Sequence, residues 1–252
     1  MKRRSLLQVL VERYPQSDRK ELYARIMSGD VRVEGHTVRD PSVPVAVEAT
    51  IVFSDSRYVS RAGAKLAAAL DEWDVRVAGR VWLDAGASTG GFTDCLLQRG
   101  AAIVHAVDVG YNQLDYRLRR DERVRVHERT NALSIAGRLD PAPDVFVCDL
   151  SFRSLRGAAK VLLSSVRERW GIALVKPQFE LDAELRWGRA VSERLADGVV
   201  DDRDAQRVVD RLIDELKTTE AIGVTQRIAS PIRGNKGNRE ELILLTAAES
   251  TP

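Results

Sequence analysis

Apolar positions near the start of the chain recur at two different periods. Leu6, Val9 and Leu10 fall three and one apart, one face of a helix, and Pro15 stops the run. Asp18 is placed to cap a second helix with Glu21 three residues on, and Gly29 stands where a left-handed residue closes it. Val31, Val33 and Val38 then alternate around Glu34-Gly35, which reads as strand, turn and strand. Pro41, Pro44 and the cluster Ser54-Asp55-Ser56 mark loops. The pattern predicts two helices packed on a small hairpin.

Farther along, unbroken apolar runs alternate with amphipathic stretches, the pattern of a parallel sheet covered on both faces. Strands are expected at Val81–Leu83, Ile103–Val107, Val124–Val126, Val145–Cys148, Ile172–Val175, Ala221–Thr225 and Leu242–Thr246. Helices are expected near Thr89–Gln98, Leu114–Arg119, Leu155–Arg167 and Val199–Lys217. Residues from Glu180 to Asp197 are polar, lack a clear period and carry Trp187, so they read as a mobile loop over the sheet's carboxyl edge. The fold class is therefore α/β: a doubly wound, mostly parallel seven-stranded Rossmann-like sheet with a small N-terminal α+β unit.

Composition narrows this picture. With 252 residues, 44% hydrophobic and 30% charged, the chain has enough apolar surface for a packed core and does not read as disordered. The net charge of +2 names no partner, so any nucleic-acid contact has to come from how charge is distributed. Two cysteines and three histidines make neither a disulfide framework nor a structural zinc site, and a reducing cytoplasm is the simplest home. The opening Met1-Lys2-Arg3-Arg4 imitates a signal peptide, but Gln8 and Glu12-Arg13 break the apolar run that follows. No stretch approaches the ~18 apolar residues of a membrane span.

The first chemical signal is Asp84-Ala85-Gly86-Ala87-Ser88-Thr89-Gly90-Gly91, lying between the strand at Val81 and a helix. A glycine-rich turn there lets a ligand approach the backbone and meet the positive end of the helix. Asp108 ends the next strand, 22 residues after Gly86, where a carboxylate can receive two ribose hydroxyls. Ser88 stands where a second glycine would admit a pyrophosphate, and Asp94 puts negative charge in the helix's first turn. A phosphate-poor nucleoside fits better, and S-adenosylmethionine is the commonest. The candidate cofactor set is Asp84, Gly86, Ser88, Gly90, Gly91, Phe92, Asp108 and Asn131. Asn131 is placed either to meet an adenine amino group or to form a turn.

Asp149 ends the fourth strand and Lys176 the fifth. Ligands of open α/β sheets bind beyond the carboxyl ends of strands, so these charges are expected to converge on the crevice. Taken alone, Lys65 on a helix before the first strand, and Glu240 at the start of the last strand, read as ordinary surface charges.

Five separated blocks carry a more specific signal: Val59-Ser60-Arg61-Ala62-Gly63-Ala64-Lys65-Leu66, Asp84 to Asp94, Glu128-Arg129-Thr130-Asn131-Ala132, Cys148-Asp149-Leu150-Ser151-Phe152 and Val175-Lys176-Pro177-Gln178-Phe179-Glu180. Together, and in this order, they resemble the TlyA family. The resemblance implies a ribosomal RNA 2′-O-methyltransferase, acting at cytidine, with S-adenosyl-L-methionine as cofactor. It implies an S4-like RNA-binding domain over 1–56, a linker over 57–62 and an FtsJ-like catalytic domain over 63–252. It also matches Lys65, Asp149, Lys176 and Glu240 to the Lys-Asp-Lys-Glu tetrad of ribose methyltransferases.

Where the family usually opens on Arg-Leu-Asp this chain has Ser5-Leu6-Leu7, and the Asn-Gly hairpin turn is Glu34-Gly35. Arg19, Lys20, Arg25 and Arg32 are the candidate RNA-facing set, in a stretch where residues 1–33 hold eight basic and four acidic side chains. Expected partners are ribosomal RNA or ribosomal subunits, with no membrane and no required metal. Cys95 and Cys148 read as small buried apolar residues, and His36, His105 and His127 as scattered, none near a second ligand.

Chemically, a ribose hydroxyl is a weak acid, so a methyltransferase must align it with the methyl group and remove its proton. Lys176 is the candidate base, held with Lys65 by Asp149 and Glu240; the alternative makes the lysines stabilisers of a developing alkoxide. Two competing readings are an inactive ribosome-binding module and a membrane-lysing protein, the latter lacking a long basic amphipathic helix.

Overall fold

In the computed structural model, which describes residues 3–53, 57–189, 197–234 and 236–247, the first fifty residues build a small unit around their own apolar cluster. Strand β1 (Arg3–Ser5) runs into helix α1 (Leu6–Arg13), followed by α2 (Arg19–Ser28). Asp18 caps α2 by accepting from the Lys20 N–H at 2.8 Å, and Gly29 closes it at φ +82°. Strands β2 (Val31–Val33) and β3 (His36–Val38) form the expected hairpin. Two further strands, β4 (Pro44–Ala46) and β5 (Ile51–Phe53), pair with β1 and β2 respectively. At three residues each, these strands are too short for alternation to betray them. Leu6, Leu10, Leu22, Ile26 and Val31 are fully or almost fully buried between the helices and the strands.

Helix α3 (Ala62–Glu72) leads into the main sheet. In chain order its elements are β6 (Val81–Ala85), α4 (Gly91–Gln98), β7 (Ile103–Val107), α5 (Tyr116–Arg119), β8 (Val124–His127), β9 (Val145–Cys148), α6 (Ala158–Ser164) and β10 (Trp170–Val175). Then come α7 (Pro177–Arg186), α8 (Asp202–Thr219), β11 (Ile222–Ala229) and β12 (Glu241–Ala247). The strand order is β11-β12-β10-β9-β6-β7-β8, with β6 to β10 mutually parallel and β12 running antiparallel to both its neighbours, β10 and β11. One apolar layer, with Leu66, Leu70, Trp82 and Leu96, covers one face; the other, with Phe146, Leu162, Val209 and Leu212, covers the opposite face. This is the doubly wound sheet the periodicity predicts. Residues 57–62, the expected linker, pack against the sheet unit: Tyr58 is buried, and the Val59 N–H donates to Asp94 Oδ2 at 2.7 Å.

The main departure is α7. Residues 177–186, read in part as loop, form a helix started by Pro177 at its first position. Its inward side carries Leu181 with two buried acids, Glu180 and Glu184, so the apolar period that announces a helix is absent. The rest of the expected loop, 190–196, and the Ser54-Asp55-Ser56 cluster lie outside the described residues.

Candidate active site

The turn after β6 is built from backbone. Gly86 has φ +87° and donates its N–H to the Val107 carbonyl at 2.8 Å. A Cβ there would stand 2.7 Å from the Asp149 carbonyl oxygen, so glycine is required both for the dihedral and for the close approach of two loops. Asp108 accepts from the Ser88 N–H at 2.9 Å and from the Gly110 N–H at 2.6 Å. A carboxylate has about four lone-pair sites, so two remain.

Other members of the predicted cofactor set sit differently. Asp84 is fully buried beneath the turn, where Thr93 Oγ1 donates to it at 2.7 Å, and burial pushes its carboxyl up to about 7. It supports the loop from below. Gly90 is packed against Leu114 and Leu118, while Phe92 is almost fully buried and forms part of the crevice wall. Asn131 caps a short 3-10 turn, Ala132–Ser134, accepting from the Leu133 N–H at 3.0 Å, so its turn-forming role is the one the structure contains.

The tetrad residues meet. Lys65, Asp149, Lys176 and Glu240 line one crevice of about 200 Å³ with Ser60, Arg61 and the turn from Gly86 to Thr89. Lys65 comes from α3, Asp149 and Lys176 from the ends of β9 and β10, and Glu240 from the residue before β12. Lys65 Nζ lies 2.5 Å from Glu240 Oε2, and Lys176 Nζ 2.5 Å from Asp149 Oδ1. Lys65 and Glu240 are buried, so each charge depends on its partner. Gly234 lies against Glu240, where a Cβ would collide with the carboxylate. Lys176 also donates to Ser151 Oγ at 2.9 Å.

Sequence reasoning placed no role on Ser151, Phe152 or Phe179. Phe152 is 83% exposed on a left-handed backbone (φ +60°), and its ring centroid lies 4.9 Å from that of Phe179. An aromatic three residues past a strand-end aspartate is the signal that could have found it. Met27 of α2 also lines the crevice.

In the small unit, Arg19, Lys20 and Arg32 are exposed. Arg25 is instead stacked over Phe53, its guanidinium carbon 4.2 Å from the ring centroid. The histidines are not all scattered: His105 Nδ1 and His127 Nε2 approach to 3.0 Å across β7 and β8, and burial lowers the pKa of both rings. The Pro141 carbonyl, 2.8 Å from His105 Nε2, can only accept, so His105 Nδ1 is the acceptor and His127 the donor between the rings. Sequence distance hid a contact that strand register creates. Cys95 and Cys148 are buried. A separate hollow of about 260 Å³ is lined by Arg156, Trp187, Arg189, Glu215, Thr219 and Glu220, none of them at the end of a parallel strand.

A parallel sheet with a glycine turn after one strand, a carboxylate after the next and two lysine–carboxylate pairs at the same edge defines a nucleoside-binding α/β enzyme. The family model for FtsJ-like methyltransferases matches residues 58–247, and hemolysin A of Brachyspira hyodysenteriae is 38% identical over 222 residues, 86% of this chain and 89% of that protein. The chain belongs to the FtsJ-like methyltransferase family and, within it, to the TlyA group. The 16S/23S rRNA (cytidine-2′-O)-methyltransferase TlyA of Mycobacterium tuberculosis is 45% identical over 181 residues, 68% of this chain and 66% of that one. A solved hemolysin-labelled structure from Streptococcus thermophilus superposes with a TM-score of 0.68 at 30% identity, covering 99% of this chain and 90% of that one. Among the described residues no helix is long and apolar enough to cross a membrane.

Proposed function

We propose that this protein transfers a methyl group from S-adenosylmethionine to the 2′-hydroxyl of a cytidine in ribosomal RNA. The observation that carries the reading is the pairing of Lys65 with Glu240 and Lys176 with Asp149 around one crevice, beside a turn where Gly86 brings backbone within reach of a ligand. The relatives named for rRNA cytidine methylation support the substrate.

The residues fit the cofactor. Asp108 keeps two acceptor sites for ribose hydroxyls, and the turn from Gly86 to Thr89 lines the crevice, where it can meet a nucleoside carrying no phosphate. When bound, the cofactor supplies an electrophilic methyl group. The chain's own task is to orient and deprotonate the hydroxyl. Lys176 Nζ is held by its ion pair with Asp149 Oδ1 and by donating to Ser151 Oγ, and to take the hydroxyl proton the nitrogen has to present a lone pair, as the neutral amine, to the ribose oxygen. Lys176 is the residue we assign to the hydroxyl proton, with Asp149 holding its head and the Lys65–Glu240 pair fixing the opposite wall.

Residues 1–56 act as an S4-like RNA-holding unit, 57–62 join it to the catalytic unit of 63–252, and Arg19, Lys20 and Arg32 contact phosphates. The test is to incubate the protein with labelled methyl donor and undermodified ribosomal subunits and to map 2′-O-methylated residues by mass spectrometry. Label on a cytidine ribose is expected; no incorporation into either subunit's RNA overturns the reading.

A further inference from the structure

Glu180 sits one helical turn after Lys176, and burial leaves it 2% exposed. Its carboxylate is bound by one short stretch of chain: the Leu155 N–H donates to it at 2.8 Å, Arg156 Nη1 at 2.9 Å, and the Ser154 hydroxyl donates as well. Arg156 continues the tie, with Nη2 2.7 Å from Glu184 Oε1 on α7 and Nε 2.5 Å from Glu215 Oε2 on α8. At the other end of this stretch, the Asp149 N–H is held by the Ala85 carbonyl at 3.0 Å. Between these two anchors lie Ser151, which accepts from Lys176, and Phe152, which stacks on Phe179. The segment leaving β9 is thus spanned between the sheet and a buried acid, with the side chains that meet Lys176 and Phe179 in the middle.

Buried ionic clusters add little net stability compared with apolar packing of the same volume, because each charge loses its hydration. What such a cluster can supply is one fixed geometry. We propose that Glu180, with Arg156, is a positioning residue: it clamps the Leu150–Arg156 segment to α7 and so holds Ser151 against Lys176 and Phe152 against Phe179. This rests on the methyltransferase reading above. Glu180 does not line the crevice, so its effect on transfer runs through the segment it holds.

The test compares Glu180→Ala and Glu180→Gln with Val208→Ala, a truncation in the apolar cluster of Leu181, Val200, Ala205 and Val208 that lowers stability without touching the segment. Single-turnover methyl transfer is measured well below every variant's unfolding temperature, beside donor affinity and hydrogen exchange of the 150–156 amides. A misplacement of about 1 Å costs roughly 10²-fold in rate. Glu180→Ala is expected to lose on that order in rate, keep donor affinity within about twofold, and exchange faster over 150–156 but not over 84–91. Glu180→Gln, which keeps an oxygen for the Leu155 N–H but loses the charge facing Arg156, falls between it and wild type. Val208→Ala keeps the wild-type rate. If either Glu180 variant is as fast as Val208→Ala with unchanged exchange over 150–156, the proposal is overturned while the methyltransferase reading stands. A wild-type protein that transfers no methyl overturns that reading first, and the positioning role with it; Lys176→Ala in the same assay sets the floor.

Discussion

The two sides of the crevice are built in opposite ways. On the side we assign to the donor, backbone does the work: Gly86 is held by Val107, and Ser88 and Gly110 turn their N–H groups on Asp108. On the side we assign to the acceptor, side chains do it: Lys176 reaches Asp149 and Ser151, Phe152 stacks on Phe179, and Glu180 ties the segment from within. Backbone geometry is set by the sheet and tolerates no Cβ at Gly86, whereas a side-chain array depends on each head group. Substitutions on the acceptor side should therefore separate chemistry from cofactor binding, and those on the donor side should not.

The sharpest way to break this contrast is Lys176→Ala. Loss of a general base lowers rates by about 10²–10⁴, so methyl transfer is expected to fall in that range while calorimetric donor affinity holds. A parallel loss of donor affinity would merge the two sides into one. Lys176→Arg sharpens the result, because a guanidinium keeps the charge but does not accept a proton near neutral pH. An inactive Arg protein favours proton removal, and substantial activity favours charge stabilisation.

Asp108→Ala probes the other side. It removes a charged acceptor from ribose hydroxyls, worth roughly 1.5–3 kcal/mol per bond in favourable cases, so donor affinity is expected to drop tenfold or more. Unchanged affinity in the folded variant would put the cofactor elsewhere.

A smaller effect, remote from both sides, is expected on neutralising Arg19, Lys20 and Arg32 together. The slope of log RNA affinity against log salt should decrease by up to ~0.7–0.9 per lost phosphate contact, with donor binding spared. An unaltered slope would make that face merely solvated.

Asp84 bears on stability and not on either side of the crevice: burial pushes its carboxyl from 3.8 to about 7. A raised acid binds its proton more tightly when folded, so its contribution to stability is fully present below about pH 3.8 and is lost as pH rises to about 7. Asp84→Asn should remove that part of the slope in urea unfolding curves, and the same slope in wild type and variant would assign it to other groups.

Much of this molecule was legible along the chain because its signals are local. Seven apolar runs announced seven strands, the strongly amphipathic α8 announced itself, and the strand ends delivered Asp108, Asp149 and Lys176 to one edge. Gly86 was legible because a turn between strand and helix needs its dihedral freedom. Helix α7 escaped because its buried face is partly charged: Glu180 and Glu184 satisfy themselves with arginine rather than with an apolar stripe. Lys65 and Glu240, 175 residues apart, carry no local mark of their ion pair, which the folded sheet alone creates. The same holds for His105 with His127, whose meeting follows from the parallel register of β7 and β8. Periodicity and turn chemistry act within a few residues, so the sequence by itself determined the elements and the strand-end charges. Buried charges need partners wherever the chain can bring them, and which ones met was decided only by the tertiary structure.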